Sequence, residues 1–410
     1  MSTLRRRSRW TVPAAGAALV LGLASCSSDG GGSSSGEADD DFSGLELTVW
    51  SSIPYDPYDT LQKGYFESCA ADLGMTVKVE TITNDTTSKL LQAASSNTLP
   101  DIALLSTDTQ LPQLAEAGVL SDLGDYGITT DGLTESVAGL GTYDDTLVGL
   151  PVQLENYAMF YNKAMFAAAG IAEFPKTFDE LVAVAKQLTA GDVYGTAFSG
   201  ADDGSATLFF LSFLLSAGGD PADPTSEGAV AAVDLYKKLV DEGALSKEFV
   251  NWGWDAPQQW LGEKAAITIS GPWNIVPGAV ELDYGVAPFP TTEGGTPTVN
   301  LLGYAYGVPV QSDAKRVAAA AALVKCRSSE ENQVEVAVQG GYIPALTAAQ
   351  DSFVEQNPDA KTFVDAVASS WNPGTLGTDW APLQTVYVNA LQDVAVNGVS
   401  AADALAKAAQ

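Results

Sequence analysis

Aromatic planes are the side chains through which this sequence could hold a ligand. Downstream of residue 45 stand Trp50, Trp252, Trp254, Trp260, Trp273, Trp371 and Trp380, most of them in turn-rich segments beside glycine or proline rather than inside regular apolar helices. Flat rings combined with carboxylates and amides suit a molecule with apolar C–H faces and a rim of hydroxyls: the rings cover the faces and the polar groups take the rim. A sugar has that shape. Any one tryptophan beside a glycine is as readily explained by packing, so the rings alone do not define a site.

Absences narrow the chemistry further. The chain has no histidine, which removes serine–histidine and cysteine–histidine nucleophiles, histidine zinc sites and most proton shuttles. Only carboxylate chemistry stays open. No Gly-x-x-x-x-Gly-Lys-Ser/Thr loop and no Asp-x-Asp-x-Asp-Gly loop occurs, so neither a nucleotide nor calcium is expected, and no metal or other cofactor is implied. From Cys26 onward 16 basic residues face 51 acidic ones, a balance of −35. Such a surface repels nucleic acid.

The elements that must position these residues follow from patterning. Arg5, Arg6, Arg7 and Arg9 precede an apolar run, Val12 to Leu23, too short to span a bilayer unaided, and Leu23-Ala24-Ser25 forms a small-residue cleavage site. Residues 1–25 therefore read as a secretory signal. Residues 26–43 read as a flexible tether, because Ser27 to Asp41 are all Ser, Gly, Ala, Asp or Glu and cannot bury enough surface to become ordered. Leu45–Trp50, Met75–Glu80 and Leu99–Leu105 are strand-like, and Tyr58–Leu73 and the stretch around Leu90, Leu91 and Ala94 are helical between them. This is βαβ alternation. Thr177 caps a helix beginning Phe178-Asp-Glu-Leu, and Ser226–Glu242 and Ala314–Arg327 continue the pattern. The fold class is α/β, and about 365 residues call for two lobes. Cys69 and Cys326 lie near the ends of helical segments of an exported chain; a disulfide and two separately buried thiols are both open.

Several motifs, in order, carry a resemblance. Leu99-Pro-Asp-Ile102, Gly149-Leu-Pro-Val152 with Tyr157-Ala-Met-Phe-Tyr-Asn-Lys163, Pro175-Lys-Thr-Phe-Asp-Glu-Leu181, Trp260–Trp273 ending in Gly-Pro-Trp, Tyr284–Pro290 and Gly340-Gly-Tyr-Ile-Pro344 together resemble the solute-binding proteins of sugar ABC transporters, of the maltose-binding-protein-like kind. Cys26, directly after the cleavage site, resembles the acylated cysteine of a bacterial lipoprotein. The resemblance implies a two-lobed periplasmic-binding-protein-like fold of class II type with a ligand cleft between hinge-connected α/β lobes. Lobe I would comprise 44–152 and 304–346, and lobe II 153–303 and 347–410. Chain crossings fall near Pro151–Asn156, Leu302–Gly307 and Tyr342–Leu346, with Gly303 and Gly307 as hinge or turn glycines.

Residue by residue, the resemblance makes Trp273 and Trp380 the sugar-stacking rings and Asp108 and Glu155 the hydroxyl-binding carboxylates. Without it, Asp108 reads as a helix cap and Glu155 as a solvated charge. Ser52, Tyr55, Asn156, Asp202, Trp254 and Tyr304 are further contacts, each equally readable as a cap or core residue. Leu105 and Thr109 depart from the maltose pattern, where a stacking tryptophan and an arginine stand, so a different ligand is expected. The function implied is capture of a mono- or oligosaccharide outside the cell by a monomer. It is held to the membrane by lipid on Cys26, passes its cargo to ABC permease subunits and has no catalytic residue. A polyamine is the rival cargo, since carboxylates and aromatics also hold cations. A glycosidase pairing Glu155 with Asp108 or Asp202 is the rival activity.

Overall fold

The computed structural model describes residues 41–82 and 85–410. The signal segment, Cys26 and most of the tether lie outside the described residues. Two sheets organise the rest. The first has the order Ile343–Pro344, Leu150–Glu155, Leu302–Gly307, Ile102–Ser106, Glu46–Ser51 and Thr76–Thr81. Its last three strands run parallel, joined by the helices Tyr58–Asp72 and Thr86–Ser96, as the βαβ spacing predicts. Leu302–Gly307 is antiparallel to both of its neighbours.

Asp101 shows why the third strand starts later than its apolar run. Pro100 has no N–H to give, and Asp101 turns inward to accept from Thr48 N at 2.7 Å and from Arg316 Nε at 2.9 Å and a terminal guanidinium nitrogen at 2.6 Å. Ladder pairing therefore begins at Ile102, opposite Val49.

The second sheet has the order Tyr284–Ala287, Ala158–Asn162, Ala265–Ser270 and Tyr194–Ala197. Around it pack Phe178–Leu188, Glu227–Asp241, Trp380–Val396 and Ser205–Ser216, the last buried along its whole length. Thr177 does cap its helix: it accepts from Glu180 N while the Glu180 carboxylate accepts from Thr177 N, satisfying two otherwise orphaned donors.

Between the sheets the chain crosses over two residues, from Glu155 in one ladder to Ala158 in the other. It returns at Leu301 and crosses again beyond Pro344. Leu154, Ala158, Phe160, Leu301, Ile343, Phe353 and Phe363 share one core that joins the sheets beneath these crossings. Gly303 sits inside a strand, not in a turn, and a Cβ there would lie 2.3 Å from the Gln153 carbonyl oxygen. Close strand approach is what demands glycine at this position. At the third crossing Gly341 has φ +73°, and a Cβ would meet the Trp273 Cα at 2.4 Å.

Cys69 and Cys326 are bonded, joining the helix Tyr58–Asp72 to Ala314–Arg327 across a separation of 257 residues. Both alternatives were open in the sequence. Clamping two helices on one sheet constrains the unfolded chain and contributes about 5 kcal/mol on a chain-entropy basis.

Candidate functional site

Three adjacent strands of the first sheet end where the chain passes to the second, and their ends carry the carboxylates. Glu155 closes Leu150–Glu155 opposite Leu302, and Asp108 follows Ile102–Ser106 across Thr107, whose N–H donates to the Gly303 carbonyl at 3.0 Å. Tyr304 lies between them, opposite Ser106 on one side and Gln153 on the other. Tyr342 meets Tyr304 edge-on at 6.1 Å and Tyr58 at 5.3 Å.

Glu155, Asp108, Tyr304 and Tyr342 are surrounded by protein on most sides yet keep partial solvent contact, which describes a deep recess. Poor solvation disfavours their charged forms. Burial, followed by the like charge of Asp108, pushes the Glu155 carboxyl up to about 8. Burial also raises Asp108, partly opposed by bonds from Ser106 and Thr109. The Tyr157, Tyr304 and Tyr342 hydroxyls are pushed well up, by burial first and then by neighbouring negative or tyrosyl charge.

The second sheet supplies the rings. Gly271-Pro272-Trp273 follows Ala265–Ser270, and a Cβ on Gly271 would fall 2.2 Å from the Trp273 ring. The motif needs glycine because its tryptophan folds back over it. Trp273 meets Tyr157 at 6.2 Å and Trp254 at 6.3 Å, while Phe209 closes the group at 4.7 Å from Tyr157 and 5.5 Å from Trp254. Trp254 remains 46% exposed. Its loop is held by Asp203, which accepts from Trp254 N at 3.3 Å and from Ser205 N at 3.0 Å.

Six of the expected residues thus belong to one region: Asp108, Glu155 and Tyr304 from the first sheet, Trp273 and Trp254 from the second, and Tyr55 at the rim. Tyr55 is 74% exposed and lies within electrostatic reach of Tyr304 and Tyr342. Ser52 is half-buried and donates to the Leu104 carbonyl at 3.3 Å.

Two expectations need correction. Trp380 presents no face to the recess: it is fully buried where Trp380–Val396 begins and packs in the second-sheet core with Tyr387 and Leu391, one helical stripe. Asn156 is also fully buried, its amide donating to the Phe363 carbonyl at 2.9 Å, so it braces the first crossing. Asp202 is exposed beside Asp203, the residue that holds the Trp254 loop.

Sequence reasoning missed Tyr157, Tyr342 and Gln153. Tyr157 and Gln153 are each 2% exposed, with the Tyr157 hydroxyl and both Gln153 amide atoms unpartnered. Tyr157 and Tyr342 stood inside quoted motifs, and the available signal was their place beside the crossings.

Two α/β sheets meeting at multiple crossings around a polar and aromatic recess define a two-lobed binding protein. The chain belongs to the bacterial extracellular solute-binding proteins, whose family pattern matches residues 64–362. It is similar to the diacetylchitobiose-binding protein DasA of Streptomyces coelicolor, 27% identical over 394 residues, covering 90% of this chain and 88% of the relative. It is similar also to the galactooligosaccharide-binding protein of Bacillus subtilis, 24% identical over 420 residues, covering 96% and 94%. Maltose-bound MalE3 of T. maritima shares the fold, with a TM-score of 0.76 at 20% identity over 89% of this chain and 98% of that one. The two-lobed fold implied by the sequence motifs is the fold of this chain. Among the described residues no helix is long and apolar enough to cross a membrane.

Proposed function

We propose that this protein is the solute-capturing component of an ABC importer, taking a carbohydrate outside the cell and delivering it to the permease subunits by closure of two lobes. The observation that carries this reading is the pairing of acceptors on one sheet with rings on the other: Asp108 and Glu155 lie within electrostatic reach of Tyr157, whose ring meets Trp273, which in turn meets Trp254. Hydroxyls bonded to charged acceptors contribute about 1.5–3 kcal/mol each, and a misplaced hydroxyl leaves a buried charge unpaired, which gives selectivity. The sugar-binding names of the relatives support the same reading.

In this proposal the lobes divide near the expected bounds, 44–152 with 304–346 for lobe I and 153–303 with 347–410 for lobe II, but with the first-sheet strands Leu150–Glu155 and Leu302–Gly307 kept whole in lobe I. Ligand is retained rather than turned over, and the protein acts as a monomer. Acylation of Cys26 anchors it to the outer face of the membrane, with the following residues as tether, so that a diffusing capture domain stays beside its transporter at raised effective concentration.

A thermal-shift screen of mono-, di- and oligosaccharides tests the reading, because a ligand held only by the folded state raises its stability. The expected outcome is a selective rise with one sugar class and stoichiometric recovery of the unaltered sugar. A flat response across the panel, or turnover, defeats it.

A further inference from the structure

Four glutamines are buried among the described residues, and three of them are tied into the fold. Gln333 donates to the Ser328 carbonyl at 2.9 Å and accepts from the Ala345 and Leu346 N–H groups at 2.9 and 3.0 Å. Gln350 donates to the Pro344 carbonyl, and Gln62 to the Ser51 hydroxyl. Gln153 is the exception. It is 2% exposed, and neither its amide oxygen nor its amide nitrogen meets a hydrogen-bond partner among the described residues. A primary amide shut away from water and left unpaired is destabilising, and an apolar side chain of the same size would serve the fold better.

Its place in the ladder shows what the amide is for. Leu150–Glu155 carries one extra residue against Leu302–Gly307: Leu150 and Pro151 lie opposite Tyr306 and Ala305, but Gln153, and not Val152, lies opposite Tyr304. A bulge re-aims the side chains beyond it. Val152 joins Leu150 and Tyr306 in the first-sheet core, while Gln153 shares the face of Tyr304, its ladder partner, with about 4.5–5.5 Å between their Cα atoms. Glu155 follows on that face about 7 Å along the strand. Tyr304 and Glu155 keep partial solvent contact and Gln153 does not, so the amide forms the floor beneath the two residues that open onto the recess.

We infer that Gln153 is a specificity-determining residue of the recess: as a sugar is captured, its amide turns to two adjacent hydroxyls, Oε1 accepting from one and Nε2 donating to the other. The inference rests on the carbohydrate reading above. Acceptor and donor lie side by side in the plane of an amide, which suits neighbouring hydroxyls that can each donate and accept, whereas an ammonium group could use Oε1 alone. A solute lacking either hydroxyl leaves half of the buried amide unpaired and is rejected for that reason.

The test pairs thermal melting with calorimetric titration of the purified full chain. The wild type is titrated with glucose, galactose, N-acetylglucosamine, maltose, cellobiose, diacetylchitobiose, galactobiose and maltotriose, and the tightest binder of that panel is carried to Gln153→Met, which keeps the length and flexibility of the side chain and removes the amide. The sugar-free variant should melt at or above the wild type, because an unpaired polar group has left the interior, while its affinity for that sugar falls about tenfold or more. Lower stability with lower or equal affinity is the pattern of an amide that serves the fold. Gln153→Leu repeats the comparison with a second apolar side chain. Melting below the wild type or failure to fold in both variants, or unchanged affinity in a variant that folds, overturns the role of Gln153 and leaves the carbohydrate reading standing. Silence of the wild type across the whole panel overturns both.

Discussion

Asp101 and Asp108 flank the same strand, and the molecule handles their charges in opposite ways. At the first end the carboxylate is shielded and fully engaged, by Thr48 N, Gln311 Nε2 and Arg316. At the second, Asp108 and its neighbour Glu155 lie in a recess where burial raises both and the like charge of Asp108 raises Glu155 further. One end holds the fold together, and the other stores an electrostatic cost that a ligand can relieve. The difference teaches that burial alone does not distinguish structural from functional carboxylates; the presence of an internal counter-charge does.

Breaking the paired end should have the largest effect. Asp101→Ala leaves Arg316 and the Thr48 N–H without their acceptor and should cost about 3–5 kcal/mol in urea unfolding, while ligand affinity of the folded fraction stays unchanged. Trp380→Ala tests the same structural category from the second lobe. Loss of a fully buried indole should cost about 3–5 kcal/mol of stability, and a variant that melts normally but loses ligand would return Trp380 to the binding surface.

The unpaired end makes an opposite demand on pH. The Glu155 carboxyl has an ordinary value of 4.5 and a folded value of about 8, so between those limits the folded chain holds a proton that the unfolded chain has released. Its contribution to stability is present in full below about 4.5 and is lost as pH rises through about 8. Ligand-free protein should therefore lose stability across that window, and Glu155→Gln should flatten that part of the profile in melts recorded at successive pH values. An unchanged slope would mean that Glu155 is better solvated than its surroundings imply.

Smaller effects sharpen the contrast between the lobes. Trp273→Ala should weaken sugar binding about tenfold or more, roughly 1.4 kcal/mol or above, with titration calorimetry as the measure. Tyr55→Ala, at the exposed rim, should move stability by less than about 0.5 kcal/mol and reduce affinity less than Trp273→Ala does.

Much of this architecture was legible because it depends on local rules. The βαβ unit was readable from alternation through Leu45–Trp50 and Met75–Glu80, and Thr177 announced its helix through Glu180. The motif order identified the strands that carry Asp108 and Glu155. What could not be read was the direction of side chains set by distant packing. Trp273 and Trp380 matched equally plausible positions, yet Gly271 lets one ring fold outward over the backbone, while the helical stripe of Trp380, Tyr387 and Leu391 draws the other into the core. Asn156 stands in the hinge, where a ligand contact is expected, but its partner, the Phe363 carbonyl, lies 207 residues away in sequence. Tyr157 and Tyr342 become neighbours of the carboxylates only once the first and third crossings are side by side.

The Cys69–Cys326 bond closes a covalent ring. Inside that ring lies the entire excursion from the first sheet through the strands of the second and back to Leu302–Gly307. A protease that cuts any exposed loop between the two cysteines linearises the ring without dividing the molecule. Nicked protein outside the cell therefore keeps both portions on one thread, migrating as a single species until a reductant separates them.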